Sequence, residues 1–158
     1  MSGDALAVAS RIQVELTELE SVVERTERQF SKAESSGDKD YLDGVALNLH
    51  SFYAGIERIF EVIAREIDNS MPTGPEWHRN LLTQMSAEIS GTRPAVIGRS
   101  TRNCLDEYRG FRHLVRNIYT FNLRPSRVEE LVTELRQCYA ALAVDIKAFC
   151  QFLNSLDE

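Results

Sequence analysis

Nowhere does the chain hold an unbroken apolar run near the ~20 residues a membrane-spanning helix needs, so no membrane partner is expected. Its first residues, Met-Ser-Gly-Asp-Ala-Leu-Ala-Val-Ala-Ser-Arg, have neither the basic start nor the apolar stretch of a secretory signal, and a cytoplasmic protein is expected. Cysteine is scarce. Cys104, Cys138 and Cys150 are far apart, each among apolar helical neighbours, and read as reduced core thiols rather than disulfide or metal ligands. The three histidines, His50, His78 and His113, stand at no ligand spacing to one another or to cysteine, so neither zinc nor any other cofactor is expected. There is no Walker loop, no glycine-rich dinucleotide fingerprint and no serine-centred elbow. Strand-like alternation is missing as well.

What is present is ordinary for one soluble globular domain spanning residues 1–158. Hydrophobic residues are 43% and charged residues 27% of the chain. That length suffices to bury about two-thirds of the extended-chain surface. The net charge of −6 argues against a generally basic nucleic-acid binder, but the charge is unevenly spread. From Arg93 to Arg127 there are eight arginines against Asp106 and Glu107, a local +6, and no lysine. Planar guanidinium groups suit bidentate gripping of phosphate or carboxylate. They suit pairing with acidic helices of the same fold equally well.

Apolar spacing of three and four predicts helices throughout. The first runs from about Asp4 to Phe30 on Val8, Ile12, Leu16, Leu19 and Val23, and a polar turn from Ser31 to Asp40 breaks it. The second, from about Lys39 to Asp68, carries Leu42, Val45, Leu49, Phe52, Ile56, Ile59, Phe60, Ile63 and Ile67. Two prolines and a glycine make 69–75 a loop, followed by a shorter helix from Glu76 to about Ile89. After a loop from Ser90 to Ser100, a fourth helix runs from about Thr101 to Asn122, limited by Pro125. Ser126 with Glu129 reads as a capping box opening a fifth helix that continues to about Leu153. Five helices with short loops imply an all-α, antiparallel, up-and-down bundle.

The fourth helix is the informative one. On a helical wheel Arg109, Arg116 and Tyr119 fall on the same side as Arg112, none further than a sixth of a turn from it. Phe111, Val115 and Ile118 lie a sixth to a third of a turn away in one sense and form a separate apolar face. His113 and Asn117 lie more than a quarter of a turn away in the other sense, on the far edge of the arginine stripe. One helix therefore carries a core face beside a cationic, hydrogen-bonding face. Its arginines can neutralise phosphates; Tyr119, Asn117 and His113 can bond sugar or phosphate oxygens, and a histidine side chain is able to move protons. RNA cleavage asks for little more: a proton acceptor at the 2′-hydroxyl, charge stabilisation at phosphorus and a proton for the leaving oxygen. His50 reads as structural. His78, beside Trp77 at the start of the third helix, reads as packing, with the edge of the cleft as the sharper possibility. Arg93 and Arg99, in the loop before the fourth helix, could extend a phosphate path.

The run Arg112-His113-Leu114-Val115-Arg116-Asn117-Ile118-Tyr119 resembles the motif of the HEPN superfamily, in particular HepT-like proteins of prokaryotic toxin–antitoxin modules. That motif is Arg, a polar residue, three variable residues, His, any residue, Tyr. Arg112, His113 and Tyr119 occupy their places; Asn117 stands where His is expected. Trp77-His78 with Leu81-Leu82, Arg93-Pro94-Ala95-Val96 and Tyr119-Thr120-Phe121-Asn122-Leu123 are similar to the same branch, so the resemblance covers about residues 70–130.

The resemblance implies a HEPN-like homodimer that acts as an endoribonuclease toxin without a metal, the motif residues of both subunits facing one cleft. Positions five apart on a helix lie ~140° apart, so Arg112 and Asn117 of one helix hardly reach one phosphate, and a two-fold partner would supply the second copy. It also implies a nucleotidyltransferase antitoxin and places adenylate on Tyr119. On that reading Arg112, His113, Asn117 and Tyr119 are catalytic, with Arg109, Arg116, Arg93 and Arg99 on the RNA path. Asn117 is the departure, because asparagine cannot shuttle a proton near neutral pH. Either His113 takes over, or the protein is a degenerate member that binds RNA or a partner without cutting, or Asn117 is an engineered substitution. A purely structural bundle with self-paired arginines is the remaining reading.

Overall fold

The computed structural model describes residues 2–38, 40–117 and 123–156. Val8, Ile12, Leu16, Leu19 and Val23 recur every three or four residues, and all five are buried along one side of α1 (Ser2–Ser36). The helix outruns its expected end near Phe30 because Lys32, Ala33 and Glu34 are good helix formers. The Ser35 and Ser36 hydroxyls also donate back to the Lys32 carbonyl. Gly37, at φ +69°, ends it.

The chain returns as α2 (Asp40–Glu66), the element with the broadest apolar stripe and the one that packs on all four others. Gly55 permits the tight α1–α2 crossing: a Cβ there would lie 2.6 Å from Leu19 Cδ2. α3 (Trp77–Met85) is short; α4 (Arg99–Asn117) and α5 (Pro125–Ser155) complete the bundle. The all-helical architecture agrees with the sequence reading. Of the expected core face of α4, Phe111 is buried, Val115 is half-buried and Ile118 lies outside the described residues; Leu105 and Tyr108 are buried as well.

Three further expectations are corrected. α3 stops at Met85, not near Ile89, because the Met85 carbonyl accepts the amides of Val96 and Ile97 from the following loop. Ile89 instead pairs antiparallel with Arg93 around Gly91 (φ +75°). The Ser126–Glu129 capping box does not form. Arg124 is the N-cap and makes no side-chain bond there; Pro125, lacking an N–H, takes the first helical position and places Ser126 inside the helix.

The third correction concerns the thiols. Cys104 on α4 and Cys138 on α5 form a disulfide, with Cα atoms 6.0 Å apart. They meet because α4 packs on α5, and no local spacing reports that. Only Cys150 is free and buried, and burial pushes its thiol pKa up. The cysteines therefore give no argument for a reducing compartment. Among the described residues no helix is long and apolar enough to cross a membrane.

Candidate functional site

A cleft of about 360 Å³ opens between the start of α3 and the second half of α4. Pro75, Glu76, His78 and Arg79 line one wall; Arg109, Arg112 and His113 line the other. The α4 wall is the cationic stripe read from the sequence. Residues 109, 112 and 113 lie within about 100° of one another on α4 and edge the stripe on which Leu105, Tyr108 and Phe111 anchor the helix in the core. The α3 wall is fixed by the loop before it, where Gly74 at φ +92° turns the chain and the Trp77 N–H bonds the Gly74 carbonyl.

Behind the wall residues His78 and Arg112 lies a residue that the sequence reading missed. Glu57 on α2 is 4% exposed; its Oε2 lies 2.6 Å from His78 Nδ1 and its Oε1 lies 3.9 Å from Arg112 Nε. An ionised carboxylate only accepts, so His78 Nδ1 is the donor. Trp77 stacks against the His78 ring with centroids 3.7 Å apart and planes tilted by 30°. Two buried polar atoms have no hydrogen-bond partner among the described residues: Arg112 Nε and the Tyr53 hydroxyl, one turn before Glu57. Burial pushes the Tyr53 pKa well above its ordinary value, the Glu57 charge adding to that and Arg109 opposing it. The signal for Glu57 was legible: a lone carboxylate four residues after Tyr53 and three before Phe60, within an otherwise apolar stripe.

The other expected site residues are scattered. Arg109 lines the cleft but also donates through Nε to Asp106, at 2.7 Å. Arg93 does not extend any phosphate path, and that expectation is corrected. Its side chain is fully buried, with Nε and an Nη donating to Asp68 at 2.6 and 2.8 Å. Its other bonds go to the carbonyls of Gln84, Ala87 and Pro94, so it ties the end of α2 to the loop that launches α4. Arg99 is exposed at the opposite end of α4, about 21 Å along the axis from His113. It does not line the cleft. His50 lies apart from the cleft, on α2 beside α1. Arg116 and Asn117 continue α4 as helix, but their side chains, like Tyr119 as a whole, lie outside the described residues.

Several cations away from the cleft are paired. Arg127 bridges Glu107 and Glu130, at 2.5 and 3.2 Å. In a larger groove of about 500 Å³ between α1 and α2, Arg11 and Arg58 each face a glutamate. Among the described residues no three His, Cys, Asp or Glu side chains converge to hold a metal ion. The cleft gathers three guanidinium groups and two imidazoles, and the buried Glu57 carboxylate bonds one imidazole and faces one guanidinium.

With this geometry in place, a family match decides where the chain belongs. The family model described as HepT-like protein matches residues 44–153, from early α2 to the last turns of α5. The chain belongs to the HepT-like family. The matched span contains Glu57, His78, Arg109, Arg112 and His113, so the whole cleft lies inside the family's domain. At the level of the family, a HepT-like chain is a ribonuclease-type HEPN protein of toxin–antitoxin systems. Comparison with curated proteins and with solved structures finds no match.

Proposed function

We propose that this HepT-like chain is the toxin of a toxin–antitoxin module, a metal-independent endoribonuclease that works as a homodimer and cleaves RNA across paired clefts. The observation that carries the reading is Arg112. Its side chain is held 14% exposed on the cleft wall, 3.9 Å from the nearest acid, with Nε lacking a hydrogen-bond partner among the described residues. A guanidinium so placed offers its charge to a ligand's phosphate, and in the transition state to the charge that grows at phosphorus. Arg109 and Arg116 add to the phosphate path. His113 serves in proton transfer, and Asn117 and Tyr119 position the RNA. A nucleotidyltransferase antitoxin neutralises the toxin by placing adenylate on Tyr119, adding bulk and negative charge beside the arginines.

Asn117 favours a second reading, a HepT-like dimer that binds RNA or its antitoxin without cutting. One experiment separates the two. Purified protein is incubated with total tRNA and an mRNA in EDTA, beside Arg112→Ala and Asn117→His. Cleavage by the wild type, lowered ~10²–10³-fold by Arg112→Ala as for loss of one transition-state donor, supports the enzyme. Intact RNA with the wild type and cleavage by Asn117→His supports the binding module. If neither protein cuts and neither retains RNA in a gel shift, the ribonuclease assignment fails.

A further inference from the structure

The cleft contains an arrangement that its arginines do not explain. His78 is tied at one ring nitrogen to a carboxylate that is almost wholly buried, and its ring is braced face-on by Trp77. A carboxylate at Nδ1 fixes the tautomer, leaving the lone pair on Nε2, the nitrogen at the opposite end of the ring. The His78 side chain keeps 24% of its surface exposed, and the ring lines the same cleft as Arg112 and His113. A base whose tautomer and orientation are set by a third group is the arrangement that proton abstraction requires. A histidine needed only for packing would not call for a carboxylate in the core, where an unpaired charge is costly.

We infer that His78, oriented by Glu57 and Trp77, is the proton acceptor of this cleft and performs the chemistry that Asn117 cannot. The inference rests on the ribonuclease reading. Nε2 of His78 takes the proton of the ribose 2′-hydroxyl as O2′ bonds to phosphorus. The P–O5′ bond breaks, and O5′ leaves with a proton delivered through His113 on the opposite wall. The products are a 2′,3′-cyclic phosphate and a 5′-hydroxyl, with no change of oxidation state. Arg112, whose Nε lies 3.9 Å from the same Glu57, meets the charge on phosphorus. Glu57 never touches the RNA and is a positioning residue. The charged and titratable groups around the imidazole are Glu57 and Tyr53 from α2, Glu76 and Arg79 at the start of α3, and Arg109, Arg112 and His113 from α4.

The test uses the full chain in two measurements. In cleavage of tRNA with EDTA, His78→Gln is expected to lower kcat ~10²–10⁴-fold, the usual worth of a general base. KM should stay within a factor of two or so, with the thermal unfolding midpoint preserved. Glu57→Ala should lower kcat less, again without raising KM. His78→Gln cleaving as fast as wild type overturns the inference. So does a wild type that is inert beside an active Asn117→His, which would leave the ribonuclease scaffold standing without His78 as its native base. Inertness of both proteins strikes the ribonuclease reading instead, and the second measurement then decides on His78 alone. In ¹⁵N spectra of the imidazole rings, uridine 3′-monophosphate is expected to shift His78 Nε2, and Glu57→Ala to abolish the fixed Nδ1–H tautomer. A His78 resonance that ignores the nucleotide while His113 responds overturns the inference too.

Discussion

Arg93 sits in the loop before α4 and Arg112 on α4 itself, and both guanidinium groups are withdrawn from solvent. Arg93 has 0% side-chain exposure, a bidentate partner in Asp68 and three carbonyl acceptors around it. Arg112 has 14% exposure, a glutamate 3.9 Å away and an Nε with no acceptor among the described residues. A guanidinium with five donors is costly to bury unless they are met. Arg93 meets that demand inside the fold and is a structural hub. Arg112 leaves its buried Nε unmet and lines an open cleft, so its charge is less fully answered inside the fold than that of Arg93. The same residue type, in one arginine-rich segment, serves two ends, and hydrogen-bond completeness separates them.

The comparison breaks most visibly at Arg93. Arg93→Ala leaves Asp68 charged and buried without its partner. Removing one member of a buried pair typically costs ~3–5 kcal/mol, on the order of 10 °C in a domain of this size. Differential scanning calorimetry that finds a shift of only a degree or two would return Arg93 to the surface.

Arg112→Ala tests the other half. Its expected effect on stability is smaller, about 1 kcal/mol or less, since a well-made hydrogen bond at Nε is not there to be lost. Its effect should appear in RNA binding. The slope of log affinity against log salt should flatten by ~0.7 for each phosphate contact removed from a single strand. Fluorescence anisotropy with a labelled RNA measures it, and a slope identical to wild type would count Arg112 among the structural arginines.

A pair of tyrosines carries the contrast to its smallest scale. Tyr108 donates from its buried hydroxyl to the Leu131 carbonyl at 2.6 Å; the Tyr53 hydroxyl has no partner among the described residues. Tyr108→Phe is expected to cost about 1 kcal/mol, and Tyr53→Phe to be neutral or slightly stabilising. Burial pushes both phenol pKa values above the ordinary 10. A raised folded-state pKa means that the stability held by the neutral phenol is intact below about pH 10 and falls as pH climbs past it. Absorbance at 295 nm should therefore show these two phenols ionising only as the chain unfolds. Equal losses from the two substitutions would erase the distinction.

How much of this was legible follows the range of each interaction. Period and capping chemistry act within a few residues, so the helices of the bundle and the arginine face beside the Phe111 core face could be read directly. Arg93 could not be placed, because its partner Asp68 is 25 residues away and only the loop's path decides that they meet. The Cys104–Cys138 bond spans 34 residues and depends on how α4 meets α5. Ser126 and Glu129 have the spacing of a capping box, yet Pro125 outranks them by taking the first turn. Glu57 was within reach: a carboxylate in an apolar stripe is a local anomaly, and its cause was the cleft. Tyr119 and the side chain of Asn117 lie outside the described residues.

The Cys104–Cys138 link turns one stretch of the polypeptide into a covalent ring, and that ring contains Arg109, Arg112, His113 and the junction between α4 and α5. Closing a loop of 34 residues removes unfolded-state entropy worth about 4 kcal/mol in the chain-entropy description. The same polypeptide therefore has two stabilities, set by the thiol poise of its surroundings. A reducing milieu frees the denatured chain without altering one residue of the cleft.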